Sequence, residues 1–160
     1  MDALWRKTLR AVTRRQASVR RCLVLGVGFG GIFKEVRSVY PDAEIIGVDW
    51  DAELAELGKK LGILHLDTKM GIVLGDAADV VPSLDGVFDL VIVDMFVEQN
   101  LAPILYDAAF QDALIKKVAP GGLVCVNGYN KYAVFPSWKS KLHALQMVRY
   151  KMNDVWILKK

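Results

Sequence analysis

The sequence predicts a doubly wound α/β fold. It has a mostly parallel seven-stranded sheet with an antiparallel last strand, in a single domain entered through a basic N-terminal helix. Three observations lead there. Strand-like and helix-like segments alternate along the chain. The strand-like segments are rich in apolar residues, and residues 22–25 form one continuous apolar run, as expected of a sheet covered on both faces. The last two runs are joined by a turn so short that they must pair antiparallel.

The opening segment, residues 2–16, reads as a helix because Trp5, Leu9 and Val12 recur at i, i+4 and i+7 and form one apolar stripe. Residues 22–25 are a buried first strand ending at Gly26. Residues 30–39 are a helix closed before Pro41, which disfavours helical backbone at Tyr40. Residues 44–48 form the second strand, ending on Asp49. Asp51 caps a second helix to Leu61, with Leu54 and Leu57 inward and Gly62 as terminator. The third strand is 70–74, followed by a short helix at 78–82. The fourth strand is 88–93, ending on Asp94. A long helix is expected over 104–118, a tight turn over Ala119-Pro120-Gly121-Gly122, a fifth strand over 123–126 and a short helix over 137–145. Residues 147–151 and 155–158 close the sheet as a hairpin turning at Asn153-Asp154. The division is a basic helix, 1–20, ahead of a ligand-binding domain, 21–160.

Composition narrows the classes. A chain of 160 residues that is 53% hydrophobic and 24% charged buries a core and is not disordered. No apolar run reaches the roughly 18–20 residues of a membrane span, and the N-terminus shows no secretory h-region, so a cytoplasmic protein with no membrane partner is expected. Cys22 and Cys125 lie inside strand-like runs and read as buried thiols. His65 and His143 stand apart with no Cys/His cluster, so no metal is expected. Residues 1–21 hold seven basic side chains against one acid, whereas the whole chain carries a net +3. The basic excess therefore sits in one segment. Such a helix suits nucleic acid, although the clustered aromatics of an RNA platform are absent.

The motif with most chemistry is Gly26-Val27-Gly28-Phe29-Gly30-Gly31, which follows a strand and opens a helix. Glycines allow a tight turn and close approach of a ligand, and the helix start presents free N–H groups. Gly26, Gly28 and Gly31 match the dinucleotide spacing, whereas Gly26, Gly28 and Gly30 match that of S-adenosylmethionine enzymes. Asp49 ends the second strand, nineteen positions beyond Gly30, where a carboxylate accepts the ribose hydroxyls of either ligand. Trp50 beside it is placed to flank the ribose or adenine. Gly75-Asp76-Ala77 ends the third strand, where an acid accepts a hydrogen bond from the adenine amine and Ala77 lies near the ring. Dinucleotide sites need no acid there. Asn127, Tyr129 and Asn130 follow the fifth strand on the ligand-facing edge and serve either an acceptor or a turn.

With Pro120-Gly121-Gly122 before the fifth strand, this order resembles the class I S-adenosylmethionine-dependent methyltransferase superfamily, which implies the Rossmann-like methyltransferase fold. Within it, Leu25 to Gly31, Tyr40-Pro41, Val48-Asp49, Val73 to Ala77, Phe88 to Asp94 and Leu114 through Pro120-Gly121-Gly122 resemble the catalytic domain of spermidine synthases, the aminopropyltransferases. The resemblance implies that Asp49 binds the ribose, that Asp76 binds the adenine amine, and that Asp94 is the catalytic acid that orients or deprotonates an attacking amine. Asp94 reads equally as a strand-end acid that holds the cofactor or caps local backbone. The cofactor contacts expected are Gly26, Gly28, Gly30, Asp49, Trp50, Asp76, Ala77 and Asp94.

Two features depart from the synthases. One basic helix stands where they carry a β-rich domain, and Asp94 is followed by Met95-Phe96-Val97, so that the next acid is Glu98. The first functional reading is a methyltransferase using S-adenosylmethionine on a small-molecule acceptor. The others are an aminopropyltransferase using decarboxylated S-adenosylmethionine, a non-catalytic cofactor-binding or interaction module, and an NAD-binding domain. A transferase this small is expected to complete its substrate site as a homodimer.

Overall fold

A computed structural model describes residues 2–98, 100–128 and 135–160. Helix α1 (Asp2–Thr13) leads into β1 (Arg21–Leu25), α2 (Gly31–Val39), β2 (Glu44–Asp49), α3 (Ala52–Lys60), β3 (Met70–Leu74), α4 (Ala77–Ser83) and β4 (Phe88–Val93). A small hairpin, β5 (Phe96–Val97) and β6 (Asn100–Leu101), precedes a 3-10 turn at Pro103–Tyr106. The chain then runs through α5 (Ala108–Lys116), β7 (Val118–Asn127), α6 (Phe135–Lys139), β8 (His143–Tyr150) and β9 (Asn153–Lys159). The main sheet has seven strands in the order β3-β2-β1-β4-β7-β9-β8. The first five of these are parallel, and β9 runs antiparallel to both its neighbours. This is the doubly wound sheet with an antiparallel last strand that the alternation predicts.

The apolar runs of the inner strands β1, β4 and β7 work because these strands bury both faces, whereas β3 and β8 at the two edges of the sheet stay largely exposed. Cys22 and Val24 of β1, Leu90 and Ile92 of β4, and Cys125 of β7 face one core together with α1 and α2. Leu23, Leu25, Val91, Val93, Val124 and Val126 alternate with them and face a second core, where Leu105, Leu114 and Trp138 pack. Both thiols are fully buried, which raises their pKa; that of Cys125 is pushed up to about 12. The stripe on α1 is real: Trp5, Leu9 and Val12 are buried, each worth about 1.5–3 kcal/mol of apolar transfer. Arg6 reaches from α1 to the buried Glu35 of α2 at 2.8 Å.

Several expectations are corrected. Leu57 is 43% exposed and Leu54 only half-buried; the inward residues of α3 are Ala55 and Gly58. The helix lies too close to the glycine turn for anything larger, since a Cβ at Gly58 would sit 2.5 Å from the Phe29 carbonyl oxygen. The long helix over 104–118 is broken at Asp107. Its extended backbone ends the 3-10 turn, and its carboxylate accepts from the Phe110 N–H at 2.7 Å to cap α5. The turn at 119–122 is absorbed into β7, which begins at Val118 and takes up Gly121 at positive φ through a register shift against β4. The helix over 137–145 ends at Lys139, and β8 begins at His143. The closing hairpin turns at Lys151-Met152, two residues early, because Asp154 is buried within the ladder and holds the Arg149 guanidinium at 2.7 and 3.0 Å.

The tight passage at Gly58 yields a test of sign. Helix propensity alone makes Gly58→Ala stabilising by about 1 kcal/mol. Overlap with backbone that cannot rotate away reverses this and destabilises the fold by about 1–3 kcal/mol. A thermal melt is expected to show a lowered Tm for Gly58→Ala and little change for Gly71→Ala, whose added Cβ meets nothing within 4 Å.

Candidate functional site

The strands deliver their C-terminal ends to one edge in the order β3, β2, β1, β4, β7. Asp76, Asp49, the glycine turn, Asp94 and Asn127 follow that order. At roughly 4.8 Å per strand, the line from Asp76 to Asp94 spans about 14 Å. Backbone bonds lock the row: Gly75 N–H donates to Asp49 O at 2.9 Å, Gly26 N–H to Val48 O at 3.0 Å, and Asp94 N–H to Leu25 O at 2.8 Å.

The turn uses its glycines for different purposes. Gly26 has φ 87° and presses against β4, where a Cβ would overlap the carbonyl oxygen of Asp94. Gly28 has φ 51°, and no atom lies within 4 Å of where its Cβ would be, so it faces open space above the row. Gly30, at φ 90°, is the N-cap of α2.

Asp49 braces this turn. Its Oδ2 accepts from the N–H groups of Val27 at 2.7 Å and Gly28 at 2.9 Å, and its Oδ1 accepts from Asp51 N–H at 2.9 Å. A carboxylate has about four acceptor positions. Three are used, and one remains on Oδ1. Trp50 next to it is 71% exposed. Asp76 is exposed and caps α4, its Oδ1 accepting from Ala78 N–H at 2.8 Å. Ala77 packs into the second core, 5% exposed.

Asp94 lies deeper. Its Oδ2 accepts from the indole N–H of Trp5 at 2.9 Å, and its Oδ1 accepts from the side-chain amide of Asn127 at 2.8 Å. Asn127 also donates to Asn153 Oδ1 at 3.2 Å, so four elements meet here: α1, β4, β7 and β9. Burial raises the carboxyl pKa above the ordinary value, and the two donated bonds pull it back only in part. Trp5 is the residue that sequence reasoning missed at this site. It sits in an apolar stripe and reads as core, yet a buried indole N–H needs an acceptor, and that need was the available signal. Tyr129 and Asn130 lie outside the described residues.

The spermine/spermidine synthase domain family matches residues 9–149. Spermine synthase of Arabidopsis thaliana is 30% identical over 115 residues, covering 68% of this chain and 32% of that protein. Putrescine N-methyltransferase 1 of Nicotiana tabacum is 32% identical over 113 residues, covering 66% of this chain and 30% of that protein. The chain spans about a third of the length of the first curated relatives it matches. A probable spermidine synthase from Corynebacterium glutamicum superposes with a TM-score of 0.82 at 21% identity, over 99% of this chain and 64% of that one, which shows the shared fold. The motifs, the sheet order and the family match over 141 of 160 positions converge, and the chain belongs to the spermine/spermidine synthase domain family.

Proposed function

We propose that this chain binds S-adenosylmethionine or its decarboxylated form along the strand-end row and transfers an alkyl group from the sulfonium to a small-molecule amine. The observation that carries this reading is the row itself: Asp76, Asp49, the open face at Gly28 and Asp94 stand in sequence along one edge. Adenine falls to Asp76, the ribose to the remaining acceptor of Asp49 beside Trp50, and the sulfonium end to the turn and Asp94.

The chemistry asks little of the protein. The amine nitrogen attacks a carbon bonded to sulfur, the N–C bond forms, and the C–S electrons return to a neutral thioether. Positioning in line supplies most of the rate. The nitrogen must also shed a proton, and a carboxylate with a raised pKa is a better acceptor for it than an ordinary one. Asp94 is that carboxylate, with Trp5 and Asn127 fixing its two oxygens.

Methyl transfer is the first reading and aminopropyl transfer the second. The names of the relatives cover both reactions, and putrescine N-methyltransferase puts methyl transfer to an amine within the same family. The by-product separates them. Incubation with each sulfonium donor and a panel of di- and polyamines is expected to release S-adenosylhomocysteine; release of methylthioadenosine instead selects aminopropyl transfer, and release of neither refutes transfer to these amines.

Two variants test the assignments. Asp49→Ala loses the ribose acceptor and the brace on the turn. It is expected to weaken S-adenosylmethionine binding by about 1–3 kcal/mol, roughly 5- to 150-fold, in a calorimetric titration. Trp5→Phe deletes one bond that favours the charged form of Asp94. The Asp94 carboxyl, followed by carbon-13 NMR across a pH series, is expected to titrate above the ordinary carboxylate range in the native protein and higher still in Trp5→Phe.

A further inference from the structure

Away from the strand-end row, α1 turns a different face to solvent. Lys7, Arg10 and Arg14 are all exposed and fall at i, i+3 and i+7, opposite the buried stripe of Trp5, Leu9 and Val12. They form one wall of a cleft of about 360 Å³ whose other wall is residues 146–149 of β8. Ala11, Met147 and Val148 make an apolar floor, and no acidic residue lines the cleft. A neighbouring cleft of about 660 Å³ continues the same walls through Arg15 and Leu145 and adds Arg20 and Lys159. Its acid, Asp89, is already committed, with Oδ2 accepting from the backbone N–H groups of Arg20 and Arg21.

Elsewhere on the described surface Arg6, Arg21, Arg37, Lys59, Lys69 and Lys141 each hold a carboxylate, and on the far wall of the cleft Arg149 holds that of Asp154. Lys7, Arg10 and Arg14 have no acid within ion-pair distance among the described residues; the Lys7 ammonium donates to the carbonyl of Arg149 instead. Like charges lining a concave surface repel, and a face adapted only to water interleaves acids to relieve that. A string of phosphates relieves it directly. The stripe runs from Lys7 to Arg14, one residue past the end of α1, over roughly 10 Å, which matches about three phosphates of a strand whose bases stay stacked at about 3.4 Å. The apolar floor accommodates sugar and base surface. A concave cleft admits a flexible single strand, whereas a duplex presents a convex, rigid backbone.

We infer that the cleft between α1 and β8 binds the phosphodiester backbone of a single-stranded nucleic acid. The inference does not depend on the cofactor reading. It places the strand on the helix whose Trp5 bonds to Asp94.

The test is fluorescence anisotropy of the whole chain with a labelled 20-nucleotide single-stranded RNA, and with DNA of the same sequence. Three phosphate contacts predict an affinity that falls about 20-fold between 50 and 200 mM salt. Arg10→Ala combined with Arg14→Ala is expected to weaken binding and to flatten the salt slope by about 1.4, while Lys59→Ala with Lys60→Ala on α3 leaves both unchanged. Tighter binding of RNA or of DNA identifies the source, and either supports the inference. No oligonucleotide binding at 50 mM salt, binding unaffected by the Arg10/Arg14 pair, or capture by phosphatidylglycerol vesicles with none by oligonucleotide would overturn it.

Discussion

The candidate site depends on how closely the end of β1 passes the end of β4. Gly26 lies against the carbonyl of Asp94 at a distance that excludes any side chain, and the Asp94 N–H closes back on Leu25. That contact fixes the start of the glycine turn and, through the same residue, the root of the Asp94 side chain. The turn could not then stand up unsupported, because its N–H groups point away from β4. Asp49 takes two of them, from the strand on the other side. The cradle is thus held between two carboxylate-bearing strand ends.

The two acids are prepared differently. Asp49 is half-buried and engaged by three backbone donors, which keeps the turn in shape and leaves limited capacity for a ligand. Asp94 sits where burial outweighs its two side-chain donors, and its charged form is disfavoured as a result. The carboxylate that braces the turn and the carboxyl whose charged form is disfavoured therefore stand two strand spacings apart, with β1 between them. The N-terminal helix matters to the second of these. By donating from Trp5, α1 couples the outer layer of the fold to the Asp94 carboxylate, while its opposite face carries the unpaired basic stripe.

Much of this was legible in the sequence, for identifiable reasons. Apolar runs followed by Gly26, Asp49, Asp76 and Asp94 located four strand ends; β1 and β4 are buried on both faces and turn polar only where they stop, whereas β3, at the sheet edge, stays apolar although Val73 and Leu74 are exposed. The Trp5, Leu9, Val12 stripe located the buried face of α1. The errors came where tertiary contact overrode local pattern. Leu54 and Leu57 look like a core pair, yet space beside Phe29 admits only Gly58. Asp107 looks like one residue of a helix and is its cap. Asn153-Asp154 looks like a turn, but Asp154 is drawn into the ladder by Arg149. For Trp5 the sequence offered only half the answer: a buried indole N–H demands an acceptor, but with Asp94 89 residues away nothing in a local window says which one.

The proposed placement of an adenosyl sulfonium along the row from Asp76 to Asp94 can be checked by parallel calorimetric titration of the purified chain with S-adenosylmethionine, decarboxylated S-adenosylmethionine, methylthioadenosine and NAD. Saturable binding of at least one of the two sulfonium ligands, and none of NAD, is expected. Binding of NAD alone, or of none of the four, would overturn that placement.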